Sequence, residues 1–295
     1  MRLYISPILR MRIILVCGLC VIVAGVVVAL AVGDGDSSSG GREAVAAGFY
    51  PLAFAAGEIG GGAVDVENLT PPGAEPHDLE PTPSDVEDIQ SADLVLLLGQ
   101  GFQPSLERAA GNADGEVIEL LDTPGLDVNP GDPHVWLDPR RFARIGDAIG
   151  RALGDQRSAR SFARRLEALD REYRTGLADC RRDDIVTSHE AFGYLADRYG
   201  LHQVAISGIS PEAEPTPRDL QHVIEVIRST GATTVFTEPL VSPKLADTVA
   251  SETGGTTAVL DPLEGLTSEE EGAGEDYFAV MRQNLATLEH GLGCR

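Results

Sequence analysis

The hydrophobic positions fall into two kinds of segment that alternate along the chain. From Glu43 to about Leu121, short apolar runs (EAVAAGFYPLAF, VDVENL, DLVLLLG at 93–99 and EVIELL at 116–121) are interleaved with helical patterns. The rhythm returns as DIVTS at 184–188, HQVAISG at 202–208, TTVFTEP at 233–239 and TTAVLDP at 256–262. Apolar runs of this length bounded by turn residues predict strands, and strands that alternate with helices predict parallel sheets. The intervening SHEAFGYLADRYG, TPRDLQHVIEVIRSTG and SPKLADTVASETG each open on Ser, Thr or Pro and close on Gly, the punctuation of capped helices.

A different segment separates the two α/β sets. Residues 156–179, QRSARSFARRLEALDREYRTGLAD, place Phe162, Leu166, Leu169 and Tyr173 on one face and charges on the other. One continuous amphipathic helix is predicted, and at about 1.5 Å per residue it runs about 35 Å, enough to join two lobes as a spine. The expected organisation is an N-terminal segment 1–12, an apolar segment 13–32, a tether 33–43, a lobe 44–155, the spine 156–179 and a second lobe 180–295.

Composition narrows the function. Apolar residues make up 43% and aromatics only 5%, which suits aliphatic α/β cores. Asp and Glu outnumber Lys and Arg by 46 to 23, so the surface lacks the basic field that a phosphate backbone requires, and nucleic acid is excluded as a partner. Such a surface attracts cations, although an excess of acids is also what an ordinary solvated surface displays.

Arg2, Arg10 and Arg12 precede an uncharged apolar run from Ile13 to Val32, long enough to cross a bilayer and oriented to leave the body outside. It reads as a membrane anchor, with a signal peptide cleaved after Ala29-Leu30-Ala31 as the alternative. Bulky Val16 and Leu19 stand before Cys17 and Cys20, against lipidation of either cysteine. GDGDSSSGG at 33–41 is a flexible tether. The body then holds two cysteines, Cys180 and Cys294, which outside the cytoplasm are expected to pair; free thiols or metal-ligating thiolates are the alternatives.

Of six histidines, three directly follow a strand or turn signal: His77 in GAEPHDLEP, His134 in GDPHVWLDP and His189 in TSHEAFGY. Ligands of open parallel sheets gather at the C-terminal ends of strands, where His189 and Asp261 both lie. Three imidazoles and the Asp261 carboxylate make a four-coordinate set suited to zinc. An isolated histidine is more often structural, and His202, His222 and His290 read that way.

These residues carry a resemblance. PHDLEPTPSDVEDIQSADLVLLLG, DPHVWLDP, TSHEAFGYLADRYGL, ISGISPEAEPTPRDL, FTEPLVSPKLADTVASETG and VLDPLEGLT occur in the order seen in the zinc/manganese-type metal solute-binding proteins of ABC importers, and the likeness runs from about Val45 to Cys294. It implies two α/β lobes with parallel sheets flanked by helices, joined by one long rigid helix. It places a metal in the cleft between the lobes, held by His77, His134, His189 and Asp261. The implied function is an extracytoplasmic monomer that captures Zn2+ and delivers it to a membrane permease.

Manganese-type members resemble TSEG at the third ligand, where this chain reads TSHE, so Zn2+ is expected and Mn2+ is the alternative. The stretch LDTPGLDVNPGDPH lacks the long His-rich loop of many zinc-type members, and Pro76 stands where some carry a glutamate, which leaves Asp261 or a water as the fourth ligand. Two rival readings use the same scaffold: a surface adhesin, and a zinc hydrolase with Glu190 or Glu238 as base. No HExxH pairing supports the hydrolase.

Overall fold

The computed structural model describes residues 41–295. The expected N-terminal segment, the apolar run 13–32 and nearly all of the tether lie outside them. Among the described residues no helix is long and apolar enough to cross a membrane.

Two four-stranded sheets are built in the same way. The first comprises β1 (Glu43–Ala47), β2 (Val64–Asn68), β3 (Leu94–Leu97) and β4 (Glu116–Glu119) in the order β2-β1-β3-β4. The second comprises β5 (Asp184–Thr187), β6 (His202–Ala205), β7 (Thr234–Thr237) and β8 (Thr256–Val259) in the order β6-β5-β7-β8. Every pairing is parallel. The inner strand β3 is buried throughout as LVLL, whereas edge strand β4 alternates with charge as EVIE, which follows from burial on both faces against one.

Helices α1 (Tyr50–Gly60), α2 (Pro83–Ser91) and α3 (Pro104–Ala110) belong to the first half, and α6 (Gly193–Tyr199), α7 (Pro217–Thr230) and α8 (Lys244–Thr253) to the second. The predicted glycine ends are all present, whereas a capped start is found for α7 alone: α6 begins only at Gly193, and neither it nor α8 has a side-chain cap. Thr216 caps α7 with a capping box, and Gly200, Gly231 and Gly254 end α6, α7 and α8 in the left-handed conformation that glycine adopts without strain.

Between the sheets run α4 (Pro139–Ala152) and α5 (Gln156–Gly176), a tight helical hairpin. The hairpin needs its glycines: a Cβ on Gly150 would come within 2.4 Å of the Ala159 Cβ, and one on Gly146 within 2.7 Å of Phe162. The helix predicted over 156–179 ends at Gly176, where Leu177 and Ala178 tighten onto Tyr173 and Thr175 carbonyls and the chain turns toward Cys180. Its predicted apolar face, Phe162, Leu166, Leu169 and Tyr173, is buried. α4, which the hydrophobic pattern did not single out, covers part of that face.

Helices α9 (Ser268–Ala273) and α10 (Tyr277–Leu292) complete the chain. Cys294, just past α10, is disulfide-bonded to Cys180 just past α5. One apolar core runs from Val45 through Trp136 and Tyr173 to Leu292, joining both halves, and each sheet's other face has a smaller core of its own. Arg42–Arg295 form one compact unit.

Candidate metal centre

The turns that leave the strands carry the chemistry. His77 follows β2, His134 follows β4, His189 follows β5, Glu238 follows β7 and Glu264 follows β8, so both sheets direct polar side chains to one place beyond their C-terminal ends.

Two of the imidazoles are fixed from behind. At His134 one oxygen of Asp132 accepts the backbone N–H at 3.0 Å and lies 2.8 Å from Nδ1. At His189 the Glu238 carboxylate does both tasks, accepting the backbone N–H at 3.0 Å on Oε1 and lying 2.6 Å from Nδ1 through Oε2. Thr187 Oγ1 and Gln203 Nε2 both donate to the His189 carbonyl, at 2.7 and 2.9 Å. A carboxylate at Nδ1 keeps the proton there and turns the Nε2 lone pair inward, the orientation a metal requires.

The three Nε2 atoms meet one oxygen. Glu264 Oε1 lies 3.1 Å from His77, 3.1 Å from His134 and 3.3 Å from His189. The side chains of His134, His189 and Glu264 are at most 1% exposed and that of His77 is 8% exposed. A zinc tetrahedron with bonds of about 2.0–2.2 Å has edges of about 3.3–3.6 Å, so these separations from Glu264 fit a shared ion with small adjustment. A recess of about 110 Å3, lined by His77, Phe102, Asp132 and Ile209 among others, opens onto His77.

Charge is tightly balanced here. Burial alone would favour neutral His189, but hydrogen bonds to Glu238 and Glu264 outweigh it and raise the imidazole to about 10. His134 moves the same way: burial opposes its charge, and Asp132 and Glu264 prevail. Burial pushes Glu264 up, yet the three histidines together hold it well below the usual glutamate range. Without metal the Glu264 carboxylate is thus held by hydrogen bonds to three imidazoles, and an incoming cation competes with protons for His134 and His189.

The carboxylate that joins the imidazoles is Glu264, not the expected Asp261. Asp261 is 4% exposed, but its Oδ1 accepts the Leu263 N–H at 2.7 Å and its Oδ2 has no partner. Burial, only partly offset by that bond, pushes its carboxyl up to about 8. The turn is sharp, with Leu263 at φ 56°, and it is this reversal that swings Glu264 rather than Asp261 toward the histidines. Glu75 is a further carboxylate at the site. It accepts the His77 N–H at 2.9 Å, and burial and nearby Glu264 raise it to about 8.

Glu190 is exposed, and Glu238 is engaged by His189, so neither candidate base of the hydrolase reading is free at the cluster. His202, His222 and His290 are exposed. His202 sits with Asp183 and Asp184 in the other group of metal-binding composition among the described residues, and that group lies on the surface.

A family model described as "ZnuA: Zinc-uptake complex component A periplasmic" matches residues 45–291. The chain belongs to the ZnuA family. Among ZnuA relatives, the "High-affinity zinc uptake system protein ZnuA" of Bacillus subtilis (strain 168) is 33% identical, over 93% of this chain and 97% of its own length. "Zinc-binding protein AdcA" of Streptococcus pyogenes serotype M6 is 33% identical over 84% of this chain, which spans 56% of that longer protein. The solved Zn(II)-bound ZnuA-like domain of Streptococcus pneumoniae AdcA superposes with a TM-score of 0.73 at 34% identity, covering 85% of this chain and 99% of that one. The laminin binding protein (Lmb) of Streptococcus agalactiae, described as bifunctional with adhesin and metal transporting activity, gives 0.78 at 32% identity, over 85% and 100%. The resemblance read from the sequence and the two-sheet α/β architecture are thus those of ZnuA-type zinc-uptake components, a class of receptors rather than enzymes.

Proposed function

We propose that the chain is the extracytoplasmic zinc receptor of an ABC importer, binding one Zn2+ through His77, His134, His189 and Glu264 and passing it to the membrane permease. The observation that carries this reading is the convergence of three Nε2 atoms on Glu264 Oε1, with Asp132 and Glu238 holding two of the rings from behind. Three nitrogens and one oxygen suit zinc better than manganese, which prefers an all-oxygen shell. The zinc-binding descriptions of the relatives support the same cargo.

Capture places the ion at a site whose four donor atoms already lie within 4.8 Å of one another, so only local adjustment is needed. The apolar core shared by both halves, with α5 packed in it as the connecting spine, resists wide opening and favours small relative shifts. Release then depends on the permease drawing donors apart after docking. The N-terminal apolar run serves to keep the receptor, as a monomer, at the outer membrane face.

Isothermal titration of protein stripped of metal tests the reading. One zinc per chain is expected, with affinity falling at least about a hundredfold in His189→Ala and in Glu264→Ala, beyond the cost of losing a residue that merely stands behind a ligand. Unchanged affinity in both variants refutes it.

A further inference from the structure

Two of the four candidate ligands are joined, behind the site, by a closed circuit of buried hydrogen bonds that passes through the last long helix. His134 leads into the single turn Val135–Leu137, and Trp136 of that turn donates its indole N–H to the Pro262 carbonyl at 2.7 Å. Pro262 lies two residues before Glu264. The Trp136 carbonyl in turn accepts the Tyr277 hydroxyl at 2.7 Å. Seven residues further along α10, on the same helix face, the Asn284 amide closes the circuit on Asp261: Oδ1 accepts the Asp261 N–H at 2.8 Å and Nδ2 donates to the Asp261 carbonyl at 2.7 Å. Trp136, Tyr277, Asn284 and Asp261 are 0, 0, 2 and 4% exposed.

The bonds have a specific geometric consequence. Asn284 supplies Asp261 with the pair of backbone bonds that a neighbouring strand would otherwise provide, immediately past the end of β8. From that fixed point Asp261 Oδ1 captures the Leu263 N–H, the chain reverses at Leu263, and Glu264 emerges toward His134. Tyr277 meanwhile fixes the height of the His134 turn against the same helix. The side-chain polar atoms of both residues are taken up by these backbone bonds.

Resting on the zinc reading above, we infer that Asn284 and Tyr277 are positioning residues, and that α10 is the rigid jig that sets the His134–Glu264 separation and thereby zinc retention. Loss of either side-chain bond loosens one of the two donors in both the loaded and the free protein, so the ion leaves faster while its rate of arrival, set by the recess at His77, is unaffected.

The test uses Tyr277→Phe, which removes one hydroxyl and keeps the ring in the core, and Asn284→Ala, each alone and combined with Glu264→Gln. Zinc association and dissociation rates are measured by stopped flow with a fluorescent chelator, beside the melting temperature of the metal-free protein. Tyr277→Phe is expected to raise the dissociation rate about five- to tenfold, the worth of one buried hydrogen bond, and Asn284→Ala, which removes two, by at least as much, with the association rate unchanged in both. In the Glu264→Gln background Asn284→Ala is expected to add less than twofold, because its effect acts through that carboxylate. A purely structural role lowers the melting temperature and leaves the dissociation rate of both singles within twofold of the parent, which overturns the inference; so does full additivity with Glu264→Gln. Failure of the parent protein to bind zinc at all would instead strike the receptor reading, and the two failures are distinct.

Discussion

Glu238 Oε2 lies 2.6 Å from His189 Nδ1, and both side chains are at most 2% exposed. The pairing determines which face of the imidazole is available to an ion, because the nitrogen bonded to Glu238 cannot ligate. Glu238→Gln keeps the shape of the contact but removes its charge. Zinc affinity is expected to fall about 10- to 100-fold, as for other carboxylates behind a ligating histidine, and chelator competition measures it.

The same contact fixes a pH dependence. Metal-free His189 has its ordinary value of 6.5 raised to about 10, burial being outweighed by Glu238 and Glu264. A raised value means that the imidazolium stabilises the metal-free fold fully below about pH 6.5, and that this contribution is lost as pH rises through about 10. Zinc requires the neutral ring, so affinity is expected to climb by about one logarithmic unit per pH unit for each proton displaced, and to keep climbing above pH 7 where free imidazole has already lost its proton. Titrations between pH 6 and 9 check this; a plateau reached by about pH 7 contradicts it.

Arg198 on α6 stands 3.2 Å from Asp138, which caps α4, and 2.7 Å from Asp170 on α5. One guanidinium therefore ties the second half to the helical hairpin, and both carboxylates are nearly buried, with side chains 1% and 8% exposed. Arg198→Met removes one of two arginine partners from each acid, since Asp138 keeps Arg141 and Asp170 keeps Arg174. A loss of about 2 kcal/mol in urea denaturation is expected, with Arg198→Lys recovering only part because an ammonium cannot bridge both acids in one plane.

The disulfide acts on stability rather than on the site. Cys180 and Cys294 are 114 residues apart, and a cross-link closing so long a loop is worth about 4–5 kcal/mol in the chain-entropy account. Cys180→Ser with Cys294→Ser is expected to melt well below the parent while keeping zinc affinity within twofold, because Tyr277 and Asn284 hold α10 directly against the ligand-bearing turns.

Much of this architecture was legible in the residues, for reasons that differ from element to element. DIVTS, TTVFTEP and the Gly-terminated helical patterns carry local signals of period, cap and turn, and β5, β7, α7 and α8 appear where those signals stand. His77, His134 and His189 were accessible because each follows a strand or turn signal, and strand ends are where parallel sheets gather ligands. The choice between Asp261 and Glu264 was not. Both lie in DPLEG, three residues apart in an irregular turn, and no periodicity says which side chain faces inward; Leu263 at positive φ and the grip of Asn284, distant in sequence, decide it. Asp132 and Glu238 were similarly hidden, because each matters only through a nitrogen on another residue. The amphipathic face of α5 is where the pattern names it, but the pattern does not name its cover, which includes the neighbouring α4.

The central claim concerns which atoms hold the ion, and anomalous diffraction at the zinc absorption edge from crystals of the zinc-loaded protein tests it most directly. The account predicts one strong peak bonded at about 2.0–2.2 Å to Nε2 of His77, His134 and His189 and to a Glu264 oxygen. A peak held by Asp261 with Glu264 turned away, or a principal peak at surface His202, would contradict it.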